Sequence, residues 1–189
     1  MRRLARELSV EAASLYHYVN GKDQILDGLV EVVAAEIELP KPSAGWRKAI
    51  SQRAHHTRAC LLRHRWAVSL MASRTSPGPA TLGLLETGIR CFREGGFSVL
   101  SAAHAISTVD SYVHGFVLQE VNLPFRNESE LAAMTGAIMD QFPRADFPCL
   151  FELTIGHVLQ PGYTYGNEFD VGLEVVLDGI DARLGRARS

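Results

Sequence analysis

Along nearly the whole chain, apolar residues return every three or four positions and almost nowhere alternate with polar ones. That period belongs to amphipathic helices, so the sequence predicts an all-α protein. Six stretches break the pattern: PKPSAG at 40–45, TSPGP at 75–79, EGGFS at 94–98, LPFRNESE at 123–130, FPRADFP at 142–148 and QPGYTYGN at 160–167. Their Gly, Pro, Asn and Ser content marks turns. The helices between them should run roughly 15 to 25 residues. Neither an internal repeat nor a low-complexity tract is present.

Several helix ends carry local signals. Ser43 or Ala44 leads into Trp46, Ser98 precedes a long apolar segment, and Asn127 stands three residues before Glu130 as in a capping box. Gly95 and Gly96 close the preceding helix, because glycine tolerates the left-handed conformation. Residues 98–121 carry Ile106, Val109, Tyr112, Val113, Phe116 and Val117 around much of the helix circumference, so this helix needs burial on two sides. The last helix, 168–184, presents Phe169, Leu173, Val176, Leu177 and Ile180 as a stripe that a monomer is expected to leave partly wet.

The start of the chain reads differently. Leu4, Ala5 and Leu8 fall on one face of a short helix, Ser9 and Val10 turn the chain with Glu11, and Ala12 to Val19 form a second short helix with Leu15 and Val19 inward. Ser14, Tyr16, His17 and Tyr18 are left mostly outside. Two short helices joined by a tight turn, with polar and aromatic groups exposed on the second, are the geometry that enters a DNA major groove; an ordinary helical hairpin has the same spacing.

Composition narrows the picture. A chain of 189 residues with 47% hydrophobic content buries one sizeable core with room for a small appended unit. The formal net charge of −2 does not announce a nucleic-acid binder, but the local distribution is uneven. Residues 1–22 hold Arg2, Arg3, Arg6 and Lys22 against Glu7 and Glu11, whereas 41–74 hold eight Lys and Arg and no acid. Such a run is usually a solvated face. Cys60, Cys91 and Cys149 have no metal-ribbon spacing and are odd in number, which suits a reducing compartment. The start lacks the apolar stretch of a signal peptide, and no run approaches a membrane span, so a soluble cytoplasmic protein without membrane partners is expected.

Candidate chemistry is sparse. On the inward stripe of the helix from Trp46 to His64, Arg53 and Thr57 are polar members of an apolar face. A buried arginine is paired, reaches solvent or meets a ligand. No acid lies near it in sequence; Glu86 or Asp110 could supply one from elsewhere in the chain. His56, Cys60 and His64 stand at i, i+4 and i+8, a face on which a metal could sit, but no fourth ligand is spaced to join them, so no metal and no cofactor are expected. No nucleophile elbow, phosphate loop or paired-carboxylate motif appears, so an enzyme is not expected.

The stretch RRLARELSVEAASLYHYVNGKDQILDGL resembles the DNA-binding signature of the tetracycline-repressor family of transcriptional regulators, through Leu4, Ala5, Leu8, Val10, Ser14, Leu15, Tyr16, Val19, Lys22 and Leu26. Ser9 stands where that signature usually has glycine, and Tyr18 where it has histidine. The order and spacing of GWRKAISQRAHHTRACLLRHRWAVSLMASR, Gly78 and Pro79, REGGFS, YVHGFVLQE and EFDVGLEVVLDGIDARL extend the resemblance over nearly the whole chain.

The resemblance implies a helix-turn-helix region with its connecting helix over 1–39 and a ligand-binding and dimerisation domain over 44–189. By that comparison the sequence starts inside the second helix of the unit: either Met1 stands within a longer natural protein, or the start was chosen late, or the packing helix ahead of it has been lost, and without that helix Leu4, Leu8 and Leu15 would lack a partner and the unit would be looser. The family's roles, carried across, put Arg2, Ala12, Ala13, Ser14 and His17 at base edges or nearby backbone, and Tyr16 and Lys22 on phosphates of double-stranded operator DNA. Lys22 also follows Gly21 at a helix start, where its charge adds to N–H groups that favour a phosphate. The effector pocket would be lined by Arg53, Thr57, Arg74, Ile89, Phe92, Ala103 and Ile106, with Ser111 and Gln119 from the partner subunit; Ile89, Phe92 and Ile106 read equally well as plain core. The homodimer would form through 98–121 and 168–184. Where the family's tetracycline sensors place a magnesium-binding histidine, this chain has Leu70 or Met71, which argues against a tetracycline–magnesium effector. The expected function is a ligand-responsive regulator, a repressor released by a small amphiphilic effector; a dimeric helical sensor that does not bind DNA stays open as the alternative.

Overall fold

The computed structural model describes residues 1–184; the last five residues of the domain expected over 44–189 lie outside the described residues, as does the side chain of Ala12. Every described regular element is helical. Two short helices, α1 (Arg2–Glu7) and α2 (Ala12–Leu15), precede α3 (Lys22–Ala35), which runs from this head onto the body. The body consists of α4 (Trp46–Arg63), α5 (Ala67–Ser73), α6 (Pro79–Glu94), α7 (Val99–Val121), α8 (Glu128–Gln141), α9 (Pro148–Leu153) and α10 (Glu168–Leu184).

Helix α1 closes with two hydrogen bonds, Val10 N to Ala5 O at 2.9 Å and Ser9 N to Arg6 O at 3.1 Å. This is a Schellman ending, whose residue after the cap takes a left-handed conformation. Ser9 holds that place at φ 54°. Helix α2 is shorter than the expected Ala12 to Val19: after Leu15, Tyr16, His17 and Tyr18 each bond three residues back. Aromatic and β-branched residues resist the α conformation, and the chain tightens into turns before Gly21.

In the body, α7 is the central helix, packed by α4, α6 and α10. Ser98 caps it by accepting from Ser101 N, and Asn127 caps α8 by accepting from Glu130 N at 2.9 Å. The Glu130 carboxylate reaches back to Arg126 N, one residue before the cap. Trp46, Phe92 and Phe97 form a triangle with ring centroids 5.1–5.6 Å apart. Gly95 lets Trp46 close over the end of α6, since a Cβ there would stand 2.8 Å from Trp46 Cβ.

Two expectations need correction. Most of the apolar stripe of α10 is not left wet: Phe169, Leu173, Leu177 and Ile180 are buried within the single chain, against α7, and only Val176 is half-buried. The exposed apolar groups of α10 lie on its other face, where Val171 is 63% and Val175 67% exposed. The basic run 41–74 is not a simple solvated face either. Arg47 pairs with Glu174 and Asp178, Arg53 with Asp110, Arg58 with Glu120, Arg63 with Glu36, and Arg74 with Asp23 and Asp27. Acids from α3, α7 and α10 come to the run through folding, which sequence distance concealed.

Candidate DNA face and effector cavity

The outer surface of the head carries the residues expected there. Arg2, Ala13, Ser14, Tyr16, His17 and Lys22 are exposed, Tyr16 by 56%. Lys22 is the first residue of α3, after Gly21 at φ 145°. The positive end of a 14-residue helix and the charge of Lys22 thus fall at the same place, a combination suited to a phosphate. Ala5 is buried beneath, and Leu4, Leu15 and Val19 are half-buried, so the short helices are held by a small apolar seam.

A cavity of about 320 Å³ lies in the body between α4, α5, α6 and α7, with Ile37, just beyond α3, at its edge, and both Arg53 and Thr57 line it. Arg53 is only 6% exposed. Its guanidinium grips Asp110 through two bonds, Nη1 to Oδ1 at 2.5 Å and Nη2 to Oδ2 at 3.3 Å, while its buried Nε has no partner among the described residues. Gly88 makes room for it: a Cβ there would approach Nε to 3.3 Å and Ile106 Cδ1 to 2.7 Å. His114, one turn beyond Asp110, turns Nδ1 to the Asp110 carbonyl at 2.9 Å and completes a polar end. Ile37, Met71, Leu84 and Leu85 make the rest apolar. An apolar chamber with a few convergent polar groups binds and orients an amphiphile.

Thr81 lines the same cavity and ties it to the head. The Glu31 carboxylate of α3 accepts from the Thr81 hydroxyl and from the backbone N–H groups of Gly78 (3.1 Å), Ala80 (2.7 Å) and Thr81 (3.2 Å). A side chain of one helix therefore caps the N-terminus of another, with the added attraction of the α6 dipole. Burial pushes the Glu31 acid up, but the Thr81 hydroxyl and the three N–H groups outweigh it and hold the carboxyl below its ordinary value. Sequence reasoning missed both Glu31 and Thr81. Pro79 signals the start of α6, but nothing local says that an acid from residue 31 reaches it.

The other expected pocket residues are not brought to this cavity in the single chain. Arg74 is held by Asp23 at 3.1 Å and Asp27 at 3.4 Å beside α3. Phe92 and Ile106 are core, and Ile89 is half-buried against that core. Ala103, Ser111 and Gln119 are exposed on α7, where Gln119 accepts from the Tyr165 hydroxyl at 2.8 Å. A second recess of about 350 Å³, between α8 and α9, is lined by Ile138, Phe142, Phe147, Leu150 and their neighbours. It offers no charged group and touches neither α3 nor α6, so it lacks the link to the head that Thr81 provides. Among the described residues no helix is long and apolar enough to cross a membrane.

Known proteins resemble this chain in sequence and fold. Residues 39–184 match the family described as tetracyclin repressor-like, C-terminal domain. The HTH-type transcriptional repressor DrrR1 of Streptomyces coeruleorubidus is 31% identical over 199 aligned positions, covering all of this chain and 72% of that protein. The class D tetracycline repressor of Escherichia coli is 34% identical over 122 residues, 63% of this chain and 56% of its own length. Among solved structures, the TetR family protein ActR of Streptomyces coelicolor, crystallised with actinorhodin, superposes with a TM-score of 0.83 at 28% identity, over 98% of this chain and 87% of that one. A helix-turn-helix head, a helical body with a partly open cavity and these likenesses place the chain in the tetracycline-repressor family of transcriptional regulators.

Proposed function

We propose that the chain is an effector-released repressor: a homodimer that holds double-stranded operator DNA through the head and lets go when a small amphiphile enters the cavity beside Arg53. One observation carries this reading. Thr81 belongs at once to the cavity wall and to the hydrogen-bonded cap that Glu31 of α3 makes on α6. An occupant that moves the start of α6 moves α3, and α3 carries the head at its other end. Such a ligand acts only by favouring one spacing of the two heads over another. That related regulators are repressors, and that ActR was crystallised with a small molecule, supports the reading.

Base edges would be met by Arg2, Ala12, Ala13, Ser14 and His17, and phosphates by Tyr16 and Lys22. The two exposed valines of α10, with Leu118 and the small residues on the outer face of α7, would meet their counterparts in a second subunit. Because Arg53 is already neutralised by Asp110, the effector would present a donor and an acceptor to the pair rather than a bare anion. Work of this kind is done in the cytoplasm, where the DNA is. Fluorescence anisotropy on DNA from upstream of the gene tests the proposal: salt-sensitive binding, reversed by an amphiphile that also raises the melting temperature, is the expected result. Absence of binding at low salt would leave the dimeric-sensor alternative.

A further inference from the structure

The junction of α3 and α4 holds a cluster that the effector mechanism does not use. Glu36 caps the C-terminal end of α3, and Cys60 and His64 stand one turn apart at the end of α4. One ligand atom from each lies within 4.8 Å of the others. His64 Nε2 is 2.8 Å from Glu36 Oε2, and the buried Cys60 thiol donates to Val33 O at 3.4 Å. In sequence His56 looked like the third member of this face, but it turns to Glu38, with Nε2 3.7 Å from its carboxylate. The fold puts an acid from another helix in its place.

We propose that Glu36, Cys60 and His64 form a binding site for a zinc ion, with solvent as the fourth ligand. The donor set of one thiolate, one imidazole and one carboxylate is what zinc takes in tetrahedral geometry. With bonds of about 2.0–2.3 Å, tetrahedral ligand atoms stand roughly 3.3–3.8 Å apart, so side-chain rotation of about an ångström closes the site. Charge also balances: the doubly charged ion meets one carboxylate and one thiolate, and leaves a neutral centre in a half-buried place. On binding, the Cys60 S–H bond breaks, its proton passes to solvent, and sulfur bonds zinc; no oxidation is involved. Without the ion, burial pushes the Cys60 thiol up and keeps it protonated. Arg63 competes for the same carboxylate oxygen, Nη2 to Oε2 at 3.3 Å, and must yield it.

The site bridges the end of the helix that carries the head and the helix that carries Arg53. A bound ion would fasten that joint; any effect on operator affinity rests on the repressor reading, but the ion's presence does not. The test is therefore spectroscopic. Chelator-treated, reduced protein is titrated with Co²⁺, whose absorption reports thiolate ligation, and then with Zn²⁺. One Co²⁺ per chain with a thiolate charge-transfer band, displaced by Zn²⁺, is expected. Cys60→Ser should abolish the band, and Cys149→Ser, at an exposed position, should leave it. Glu36→Gln, at an exposed position that tolerates the change, and His64→Gln should each weaken Co²⁺ binding by at least about tenfold. A spectrum without the thiolate band, or a band that survives Cys60→Ser, or unchanged affinity in Glu36→Gln and His64→Gln, overturns the proposal.

Discussion

The Glu31 carboxylate and the Thr81 hydroxyl, 50 residues apart in sequence, are hydrogen-bonded across the boundary between the head-bearing helix and the cavity wall. The same carboxylate takes three backbone N–H groups of α6. Glu31→Ala strips four donors of their acceptor and should cost about 1–3 kcal/mol in urea unfolding. Gly78→Ala should act in the same direction, since a Cβ there would come within 2.5 Å of that carboxylate. An unchanged urea midpoint in both variants would mean that the cap carries no weight.

The cap also has a pH signature. The Glu31 carboxyl is held low when folded, so its stabilisation is fully present above the unfolded carboxylate value and is lost as pH falls through the lower folded one. Melting temperatures followed downward from about pH 5 should therefore fall less steeply in Glu31→Gln than in the unmodified chain. Parallel curves would contradict the assignment.

Ser9 sits at φ 54° in the Schellman ending of α1. A side chain in the left-handed region costs about 1–2 kcal/mol, part of which glycine returns as backbone entropy. Ser9→Gly should stabilise the head by a net of roughly 0.5–1 kcal/mol. Amide hydrogen exchange over residues 1–20 should slow; faster exchange would show that the serine makes a compensating contact.

For dimerisation, the informative substitution is on the outer face of α10. Val175→Arg places a charge where the chain alone is exposed, so the monomer should fold normally while sedimentation shows the dimer weakened. Leu177→Arg should instead unfold the chain, because Leu177 is fully buried within it. Sedimentation of the unmodified chain as a monomer at micromolar concentration would remove the proposed interface.

Lys22→Ala should weaken binding to all DNA sequences about equally and lower the slope of log affinity against log salt by about one, whereas Ser14→Ala should alter sequence preference. An unchanged salt slope in Lys22→Ala would withdraw the phosphate contact.

In the cavity, Arg53→Met leaves Asp110 without its partner and should lower the melting temperature as well as any ligand-induced shift. The double variant Arg53→Met, Asp110→Asn should recover much of the stability but not the ligand response. A panel of neutral and anionic amphiphiles in thermal-shift assays separates the cases: preference for anions would mean that the pair opens on binding.

How much was legible beforehand follows from how local each signal is. Helical period, Ser98 and Asn127 as caps, the tight turn at Ser9 and the end of α6 are decided within a few residues, although only Gly96, at φ 89°, takes the left-handed conformation expected of both glycines there while Gly95 stays right-handed at φ −68°; helix formation and capping are satisfied by neighbours three or four positions away. The sequence alone thus determined the helical class, the head at the start of the chain and the inward face of α4 with Arg53 and Thr57. Tertiary structure decided what those groups meet. Asp110 for Arg53, Asp23 and Asp27 for Arg74, Glu31 for the start of α6 and Glu36 for Cys60 and His64 all come from other helices. Charged and polar side chains reach only a few ångströms, so a partner 24 to 57 residues away along the chain is invisible until packing brings it there. The same holds for the last helix: periodicity showed that Leu173 and Leu177 face something apolar, and only the packed body showed that it is α7 of the same chain, which turns Val171 and Val175 outward.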